Sequence, residues 1–197
     1  MKPQVAILDY GCGNLRSVYN AVREVGGEPR IVQHTRGTTF THLIFPGQGS
    51  FGAGIDGLEA NDMIRYLRGP NGQRIMPPVP ILGICLGMQL MCEGSEEAPG
   101  VKGLGWLPGI CHRMPLKRLP LVGWEQVGAN AYYFCHSYAL DLDQSSGEPS
   151  GWHCLFAHPE DYQFVAQAQN ANLWAVQFHP EKSGKAGLTF LRQFLAL

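Results

Sequence analysis

The segment Pro80-Ile-Leu-Gly-Ile-Cys-Leu-Gly87 joins a short apolar run to a predicted helix over residues 86–91. Its core has the pattern glycine, any residue, nucleophile, any residue, glycine, which between a strand and a helix is a nucleophile elbow. This sharp turn exposes one side chain at the carboxyl edge of a sheet and at a helix N-terminus, where the dipole favours a thiolate. Cys85 is therefore a candidate nucleophile, and the N–H of Leu86 is placed to supply half of an oxyanion hole. The alternative is a buried cysteine at a strand end, flanked by incidental glycines.

Segments on the N-terminal side of the elbow extend this strand–turn–helix pattern. Residues 4–9 and 41–45 are apolar runs that predict two more buried strands. A helix is predicted after Asn14, a plausible N-cap, and a weaker one over about residues 55–67. The order strand, helix, strand, helix, strand is typical of an α/β domain with a mostly parallel sheet.

The second half of the chain predicts a different kind of structure. It holds short β-rich segments separated by turn residues, which indicate added or antiparallel strands. Residues 188–195 have helical apolar spacing, and the Ser-, Gly- and Pro-rich stretch 141–151 is predicted to be a loop rather than a domain boundary. We therefore expect a single domain over residues 1–197. The β-rich segments are 104–108, 119–127, 131–138, 152–156, 163–168 and 173–178.

Composition excludes several function classes. Hydrophobic residues make up 45% of the 197 residues and the formal net charge is −1, which is typical of a folded globular protein. No run of Lys or Arg exceeds two, so no nucleic-acid partner is predicted. No apolar run approaches the roughly 20 residues needed to span a bilayer, so no membrane association is predicted and we expect a cytoplasmic protein.

The six cysteines do not predict a disulfide framework or a zinc site. A chain of this length is not a small secreted domain, and none of the cysteines forms a Cys-x-x-Cys pair. We therefore predict reduced thiols, no metal and no cofactor.

His179 is the best candidate for the base that a nucleophilic cysteine requires. It ends the apolar strand Leu173-Trp-Ala-Val-Gln-Phe178 and precedes Pro180, which favours an extended backbone at His179. Alternation along an extended chain would place Glu181 on the same side, where its carboxylate can set the imidazole tautomer. The alternative is a surface turn without chemistry. A second copy, His158-Pro-Glu160, lies in a polar stretch and is predicted to be a loop.

Six motifs, spread from about residue 4 to the C-terminus, resemble those of the triad-type (class I) glutamine amidotransferases. Within that family they are most similar to the glutaminase subunits of imidazole glycerol phosphate synthase. The elbow is shared by many amidotransferases, whereas the opening motif is specific to these subunits. The motifs are Asp9-Tyr-Gly-Cys-Gly-Asn-Leu-Arg-Ser17, Phe45-Pro-Gly-Gln-Gly-Ser-Phe-Gly52, Leu82-Gly-Ile-Cys-Leu-Gly-Met-Gln89, Gly103-Leu-Gly-Trp-Leu-Pro-Gly109, Tyr133-Phe-Cys-His-Ser-Tyr138 and Val176-Gln-Phe-His-Pro-Glu-Lys-Ser-Gly184.

The resemblance implies a three-layer class I amidotransferase fold and a role for each matching residue. Cys85, His179 and Glu181 would form a catalytic triad. The second oxyanion donor would be a peptide N–H of the loop Gly47-Gln48-Gly49, with that of Gln48 as the first choice, after a peptide rotation on activation. Five residues match positions that contact the substrate glutamine, and two match positions near a partner, although a helix cap and a solvated lysine explain those two equally well. The first group is Gln89, Glu97, His136, Ser137 and Tyr138, and the second is Asn14 and Lys182.

The resemblance also implies an activity and a partner. L-glutamine would be hydrolysed to glutamate and ammonia, and the ammonia would pass to the cyclase subunit of imidazole glycerol phosphate synthase, within a heterodimer that serves histidine biosynthesis. The chain departs from the family at Gln48, where a small apolar residue is usual, at residues 120–125 and at residues 154–162. A paralogue that feeds a related cyclase in another pathway therefore stays open as an alternative. A free-standing γ-glutamyl hydrolase is a second. A non-catalytic binding module is the third.

Overall fold

The structure is a computed structural model that describes residues 2–35, 37–67, 79–142 and 148–197. The part of the chain that precedes and includes the elbow alternates strands and helices. These elements are β1 (Gln4–Leu8), α1 (Leu15–Glu24), β2 (Glu28–Val32), β3 (His42–Phe45), α2 (Phe51–Ala60), α3 (Ile64–Leu67), β4 (Ile81–Ile84) and α4 (Leu86–Met91).

The remainder is mostly short strands and ends in a helix, as the sequence predicts. These elements are β5 (Gly94–Ser95), β6 (Ile110–Arg113), β7 (Leu121–Val127), β8 (Asn130–His136), β9 (Tyr138–Leu140), β10 (His153–Ala157), β11 (Phe164–Asn170), β12 (Leu173–Val176), a 3₁₀ helix (Pro180–Lys182) and α5 (Gly184–Leu195).

A seven-stranded sheet in the order β10-β11-β12-β4-β3-β1-β2 forms the centre of the fold. The strands from β12 to β2 are parallel, and β11 and β10 add two antiparallel strands at one edge. β7 and β8 form a separate antiparallel hairpin, and β5, β6 and β9 form a small third sheet. The prediction of a mostly parallel sheet with an added antiparallel portion is confirmed. The elbow lies at the carboxyl end of β4, between β3 and β12.

Alternate residues of the central strands face two separate apolar layers. Ile7 and Ile44 pack in the layer that holds α1 and α5, whereas Leu8 and Phe45 pack in the layer that holds α2 and α4. Because a strand that is covered on both faces must be apolar on both, these strands are continuous hydrophobic runs rather than alternating ones. The predicted three-layer arrangement is confirmed.

Two boundary predictions need correction. The helix predicted over residues 55–67 begins earlier, at Phe51, because the Ser50 hydroxyl accepts a hydrogen bond from Ala53 N. It ends at Ala60, and Asp62 has a φ of +55°, which interrupts the chain before α3. The C-terminal helix also begins earlier than predicted, at Gly184.

The strand predicted over residues 104–108 is wrong. The N–H groups of Leu104, Trp106 and Leu107 donate to the carbonyls of Leu90 and Met91. These carbonyls lie at the end of α4, where no N–H group of the helix remains to donate to them. The segment therefore caps a helix instead of joining a sheet. β2 was not predicted at all, and part of the predicted loop at 141–151, residues 143–147, lies outside the described residues.

In the described ranges, none of the helices is both long and apolar enough to cross a membrane.

The packing of α2 gives a prediction about stability. A Cβ built on Gly57 would lie 1.9 Å from the backbone oxygen of Tyr10, whereas one on Gly52, in the same helix, would meet only Ala98 Cβ at 3.6 Å. We expect Gly57→Ala to lower the free energy of unfolding by about 3 kcal/mol, because the helix must move away from the turn at Tyr10. Gly52→Ala, the matched control, should change it by less than about 1 kcal/mol. Urea denaturation measures both, and equal effects would contradict the packing argument.

Candidate active site

Cys85 occupies a strained turn that both flanking elements hold in place. Its φ is +50° and its ψ is −105°, a conformation that residues other than glycine rarely adopt. Its N–H donates to Val176 O at 2.7 Å, and its carbonyl accepts from Gln89 N at 3.1 Å. The turn is thus tied to β12 on one side and to α4 on the other. This is the strand–turn–helix geometry that the elbow motif predicts.

The glycines of the elbow are required by close backbone contacts. A Cβ on Gly87 would lie 2.1 Å from Phe45 O, and one on Gly83 would lie 2.8 Å from the carbonyl group of Gly87. Because real Cβ atoms do not approach so closely, larger residues would force β3, β4 and α4 apart. The alternative that these glycines are incidental is therefore excluded.

His179 and Glu181 form a buried pair. His179 Nδ1 lies 2.8 Å from Glu181 Oε1, and the two side chains are only 3% and 2% exposed. The contact agrees with the prediction, but its geometry does not. His179 is extended, with φ −102° and ψ 94°, whereas Glu181 lies in the 3₁₀ helix Pro180–Lys182. A helical turn, not strand alternation, brings the carboxylate to the ring.

The backbone around His179 is held by the β7–β8 hairpin. His179 N donates to Tyr133 O at 2.8 Å. The Ser183 hydroxyl donates to His179 O at 2.6 Å and accepts from Tyr133 N at 2.9 Å. Sequence reasoning missed this clamp, because it joins residues that are about 50 positions apart and mostly through backbone groups.

The electrostatics of His179 depend on its two side-chain partners. Burial on its own would lower the pKa of His179, but hydrogen bonds to Cys85 and to Glu181, together with their negative charges, raise the pKa to about 10. An imidazole with this pKa is protonated at neutral pH, where it forms an ion pair with the Glu181 carboxylate.

The second His-Pro-Glu lacks these contacts. His158 is exposed at the end of β10, and Glu160 is exposed with a φ of +53°. The Glu160 carboxylate accepts from Lys117 N at 3.4 Å rather than from the imidazole. The prediction that this copy is a loop is confirmed.

The loop of the three predicted oxyanion residues lies directly on the elbow. A Cβ on Gly47 would lie 2.5 Å from Gly87 N and from Leu86 Cβ. Gln48 O accepts from Gly13 N at 3.0 Å, and the Tyr10 hydroxyl donates to the carbonyl of Pro46.

Flanking positions add to this arrangement. Leu86 is the first residue of α4, so its N–H has no acceptor within the helix. Gly49 has a φ of +144°, and a Cβ there would lie 3.2 Å from Cys12 Sγ. The structure thus brings Gly47, Gln48, Gly49 and Leu86 together beside Cys85.

Several of the predicted substrate residues lie on segments near the same point. Cys135 O lies 3.9 Å from Cys85 Sγ, so the junction of β8 and β9, which contains His136, Ser137 and Tyr138, reaches the thiol. Glu97 Oε2 accepts from Phe51 N at 2.7 Å, which places Glu97 next to the loop that ends at Gly49.

Two of these residues are already committed to hydrogen bonds. The Gln89 amide nitrogen donates to Tyr138 O at 2.7 Å and to Gln177 Oε1 at 3.2 Å, so both of its N–H groups are already used. His136 Nδ1 bonds to Tyr138 O at 3.0 Å, and its buried Nε2 has no partner within the described residues. Burial lowers the pKa of His136 to about 3, so the ring is neutral.

Sequence reasoning missed Gln177 entirely. This side chain is fully buried, and its amide nitrogen lies 3.5 Å from Cys85 Sγ. The available signal was a polar residue in the apolar strand that ends at His179, two positions before it and therefore on the same face of an extended chain.

The two predicted partner residues lie near the site but are not part of it. Asn14 is the N-cap of α1, since its side-chain oxygen accepts from Ser17 N at 3.2 Å. Lys182 Nζ lies 5.8 Å from the centre of the Tyr133 ring, so this lysine packs on an aromatic face rather than standing free in solvent.

The chain resembles proteins of known family. The model of the family "Glutamine amidotransferase class-I" matches residues 6–197. Imidazole glycerol phosphate synthase subunit HisH of Thermus thermophilus is 38% identical over 97% of this chain and 95% of its own length. The HisH subunit of Methanothermobacter thermautotrophicus is 37% identical over 98% of each chain.

Some relatives are much longer. Imidazole glycerol phosphate synthase hisHF of Arabidopsis thaliana is 40% identical over 97% of this chain but over only 34% of its own length. The chain thus spans about a third of this relative and nearly all of each HisH subunit.

Solved structures agree with the fold. A crystal structure of a glutamine amidotransferase has a TM-score of 0.73 at 18% identity, covering 98% of this chain and 99% of that one. The structure of PurLQS from Thermotoga maritima has a TM-score of 0.66 at 17% identity, covering 100% of this chain and 98% of the matched one. With these matches over almost its full length, the chain belongs to the class I glutamine amidotransferase family, in the group whose named members are HisH subunits of imidazole glycerol phosphate synthase.

Proposed function

We propose that this protein is a glutaminase subunit that hydrolyses L-glutamine through Cys85, His179 and Glu181 and passes the ammonia to the cyclase subunit of imidazole glycerol phosphate synthase in histidine biosynthesis. The observation that carries the proposal is the buried His179, which bonds to Glu181 at 2.8 Å and whose pKa is raised by the neighbouring Cys85 and Glu181 side chains. Membership of the family supplies the substrate, since a Cys–His–Glu geometry alone suits many acyl transfers.

The first half of the reaction uses Cys85 as nucleophile and His179 as acid. The thiolate attacks the carboxamide carbon of glutamine and forms a tetrahedral intermediate with a negative oxygen. Collapse of this intermediate breaks the carbon–nitrogen bond, while protonated His179 gives its proton to the departing nitrogen. Ammonia leaves, and a γ-glutamyl thioester remains on Cys85.

The second half requires His179 to act as a base. In the thioester, the sulfur no longer carries a negative charge. The pKa of His179 therefore falls, because one of the charges that raised it is gone while burial still lowers it. Neutral His179 can then take a proton from water, which attacks the thioester carbon. Breaking the carbon–sulfur bond releases glutamate and restores the thiolate and the protonated imidazole. Glu181 keeps Nδ1 as the donor, so that Nε2 faces the reaction.

The negative oxygen of both intermediates needs hydrogen-bond donors. The N–H of Leu86 supplies one, and we assign the second to the peptide of Gln48. In the structure, the carbonyl of this residue is held by Gly13 N, directly before Asn14 in the chain. This carbonyl belongs to the Gln48–Gly49 peptide, next to the Gly47–Gln48 peptide that contains the Gln48 N–H. A partner that binds at Asn14 can therefore release this hydrogen bond and free the adjacent Gly47–Gln48 peptide to rotate.

Several observations support a partner next to the site. Val122 and Trp124 on β7 are 57% and 56% exposed. The Trp124 ring packs against the Tyr133 ring, which also contacts the ammonium group of Lys182. Aromatic side chains such as Trp and Tyr are enriched in protein interfaces. In addition, the plant and fungal relatives are named hisHF, and this chain accounts for only 34% and 38% of their lengths.

The nucleophile is tested by substitution. We expect Cys85→Ala to lower glutamine hydrolysis by about 10³-fold or more, because the covalent route is lost. Cys154→Ala, which removes another buried thiol, should keep normal activity. Release of glutamate measures both, and circular dichroism checks that each variant is folded. Normal hydrolysis by folded Cys85→Ala would refute the proposed role.

The choice between the two His-Pro-Glu copies is also testable. We expect His179→Ala to lower kcat by roughly 10³-fold, because both the acid and the base are lost. His158→Ala should leave kcat within about twofold, since His158 is exposed at the end of β10. A larger loss at His158 than at His179 would mean that the wrong copy has been assigned.

Dependence on a partner separates the proposal from a free-standing γ-glutamyl hydrolase. If a missing oxyanion donor limits the isolated protein, the cyclase subunit with its nucleotide ligand should raise glutamine turnover by roughly 10²–10³-fold. The measurement is glutamate release by the isolated chain and by the reconstituted complex. Full turnover by the chain alone would favour the free-standing hydrolase, and stimulation only by a cyclase of another pathway would favour the paralogue.

A further inference from the structure

Gln177 is a buried amide that needs an explanation. Its side chain has no exposed surface, and it interrupts an apolar strand between Val176 and Phe178. Moving an amide out of water without hydrogen bonds costs about 1–3 kcal/mol, so a buried glutamine persists where its amide group is engaged. Its backbone N–H already bonds to Ala166 O at 2.9 Å, so the sheet does not require a polar side chain here.

A chain of hydrogen bonds fixes which way the Gln177 amide points. Tyr138 O is a backbone carbonyl and can only accept, so the group that faces it at 2.7 Å must be the NH₂ of Gln89. The second N–H of the same nitrogen faces Gln177 at 3.2 Å, which must therefore present its oxygen there. The NH₂ of Gln177 is then directed at Cys85 Sγ, 3.5 Å away.

A neutral N–H donor acts differently on the two states of a cysteine. A thiol sulfur is a weak acceptor, whereas a thiolate is a strong one, so the donor stabilises the charged form. The N–H of Gln177 brings no charge and takes up no proton. It therefore does not compete with His179, which must lose its proton during the reaction. The Cys135 carbonyl, 3.9 Å from Sγ, is an acceptor that a thiol proton can face.

We propose that Gln177 is a positioning residue that stabilises the Cys85 thiolate and links it, through Gln89, to the backbone of Tyr138. This inference rests on the proposed function, because a stabilised thiolate serves a purpose only if Cys85 is the nucleophile. Its test does not depend on that function. Because Tyr138 belongs to the segment assigned to substrate contact, the same hydrogen bonds fix the sulfur relative to the place where the carboxamide binds.

The test measures the thiolate directly and needs no glutamine. Gln177→Met retains the length of the side chain and removes its donor. We expect the rate at which iodoacetamide alkylates Cys85 to be at least roughly tenfold lower at pH 6 than in the parent protein, because a hydrogen bond to a charged group is lost. The midpoint of the alkylation profile between pH 5 and pH 9 should move to higher pH. Mass spectrometry of the peptide that contains Cys85 separates it from the other five cysteines.

Gln167→Met is the matched control, because Gln167 is a half-buried glutamine on the neighbouring strand β11, opposite Val176. Its profile should coincide with that of the parent protein. An unchanged profile in folded Gln177→Met would overturn the proposal.

A second variant decides the matter if Gln177→Met does not fold. Gln89→Met leaves Gln177 in place but removes the group that orients its amide, so the midpoint should move in the same direction by a smaller amount. No movement in this variant would overturn the proposal. If glutamine turnover were absent in the parent protein with its partner, the proposed function would fail, while the alkylation result would still decide the role of Gln177.

Discussion

The site depends on a contact between backbones that leaves no room for side chains. The loop that carries Gly47 lies on the elbow so closely that a Cβ at that position would be 2.5 Å from Gly87 N and Ile84 O. Gly87 lies just as closely against Phe45 O at the end of the neighbouring strand. Because the elbow cannot move without displacing both strands, the unfavourable φ of Cys85 is imposed by the surrounding packing. The position of the sulfur is thus set by β3 and β4 and not by its own side chain.

The second constraint is the burial of charge. His179 and Glu181 are almost fully inside the protein, where an unpaired charge would be very costly. Their mutual hydrogen bond offsets this cost, and together with the neighbouring Cys85 side chain it raises the pKa of His179, so that the imidazole is protonated. Glu181 Oε2 is nevertheless buried without a partner within the described residues. The arrangement is therefore not the most stable one available, as is common where groups are arranged for chemistry.

The sequence predicted the parts of the fold that are local and apolar. The runs at β1, β3 and β4 are buried on both faces, so their hydrophobicity is unbroken and easy to recognise. β2 was missed because it is an edge strand of sequence Glu-Pro-Arg-Ile-Val with alternating exposed charges. The segment at Leu104 was misassigned because its partners are carbonyls of α4, about 14 positions earlier, which no local pattern reveals.

At the site, too, local motifs could be predicted from the sequence, whereas contacts made by the tertiary fold could not. Cys85, His179 and Glu181 stand in short motifs, so their types and spacing could be interpreted from the sequence alone. The prediction that His179 contacts Glu181 was correct, but the contact has a different cause, because a 3₁₀ turn replaces the extended chain after His179. Gln177 was missed because its role depends on the orientations of two amides and on a carbonyl of Tyr138, which are brought together only by the tertiary fold.

One antiparallel hairpin, outside the central sheet, completes this site. β8 supplies the Tyr133 peptide that holds His179 and Ser183, and two residues later it supplies the carbonyl of Cys135 beside Cys85. Its partner β7 exposes Val122 and Trp124 to solvent. A displacement of β8 therefore changes the backbone hydrogen bonds of His179 and the surroundings of Cys85 together. The residues that face outward on this hairpin and the Tyr133 peptide that holds His179 are consequently parts of one structural unit, even though His179 itself lies about 50 positions further along the sequence.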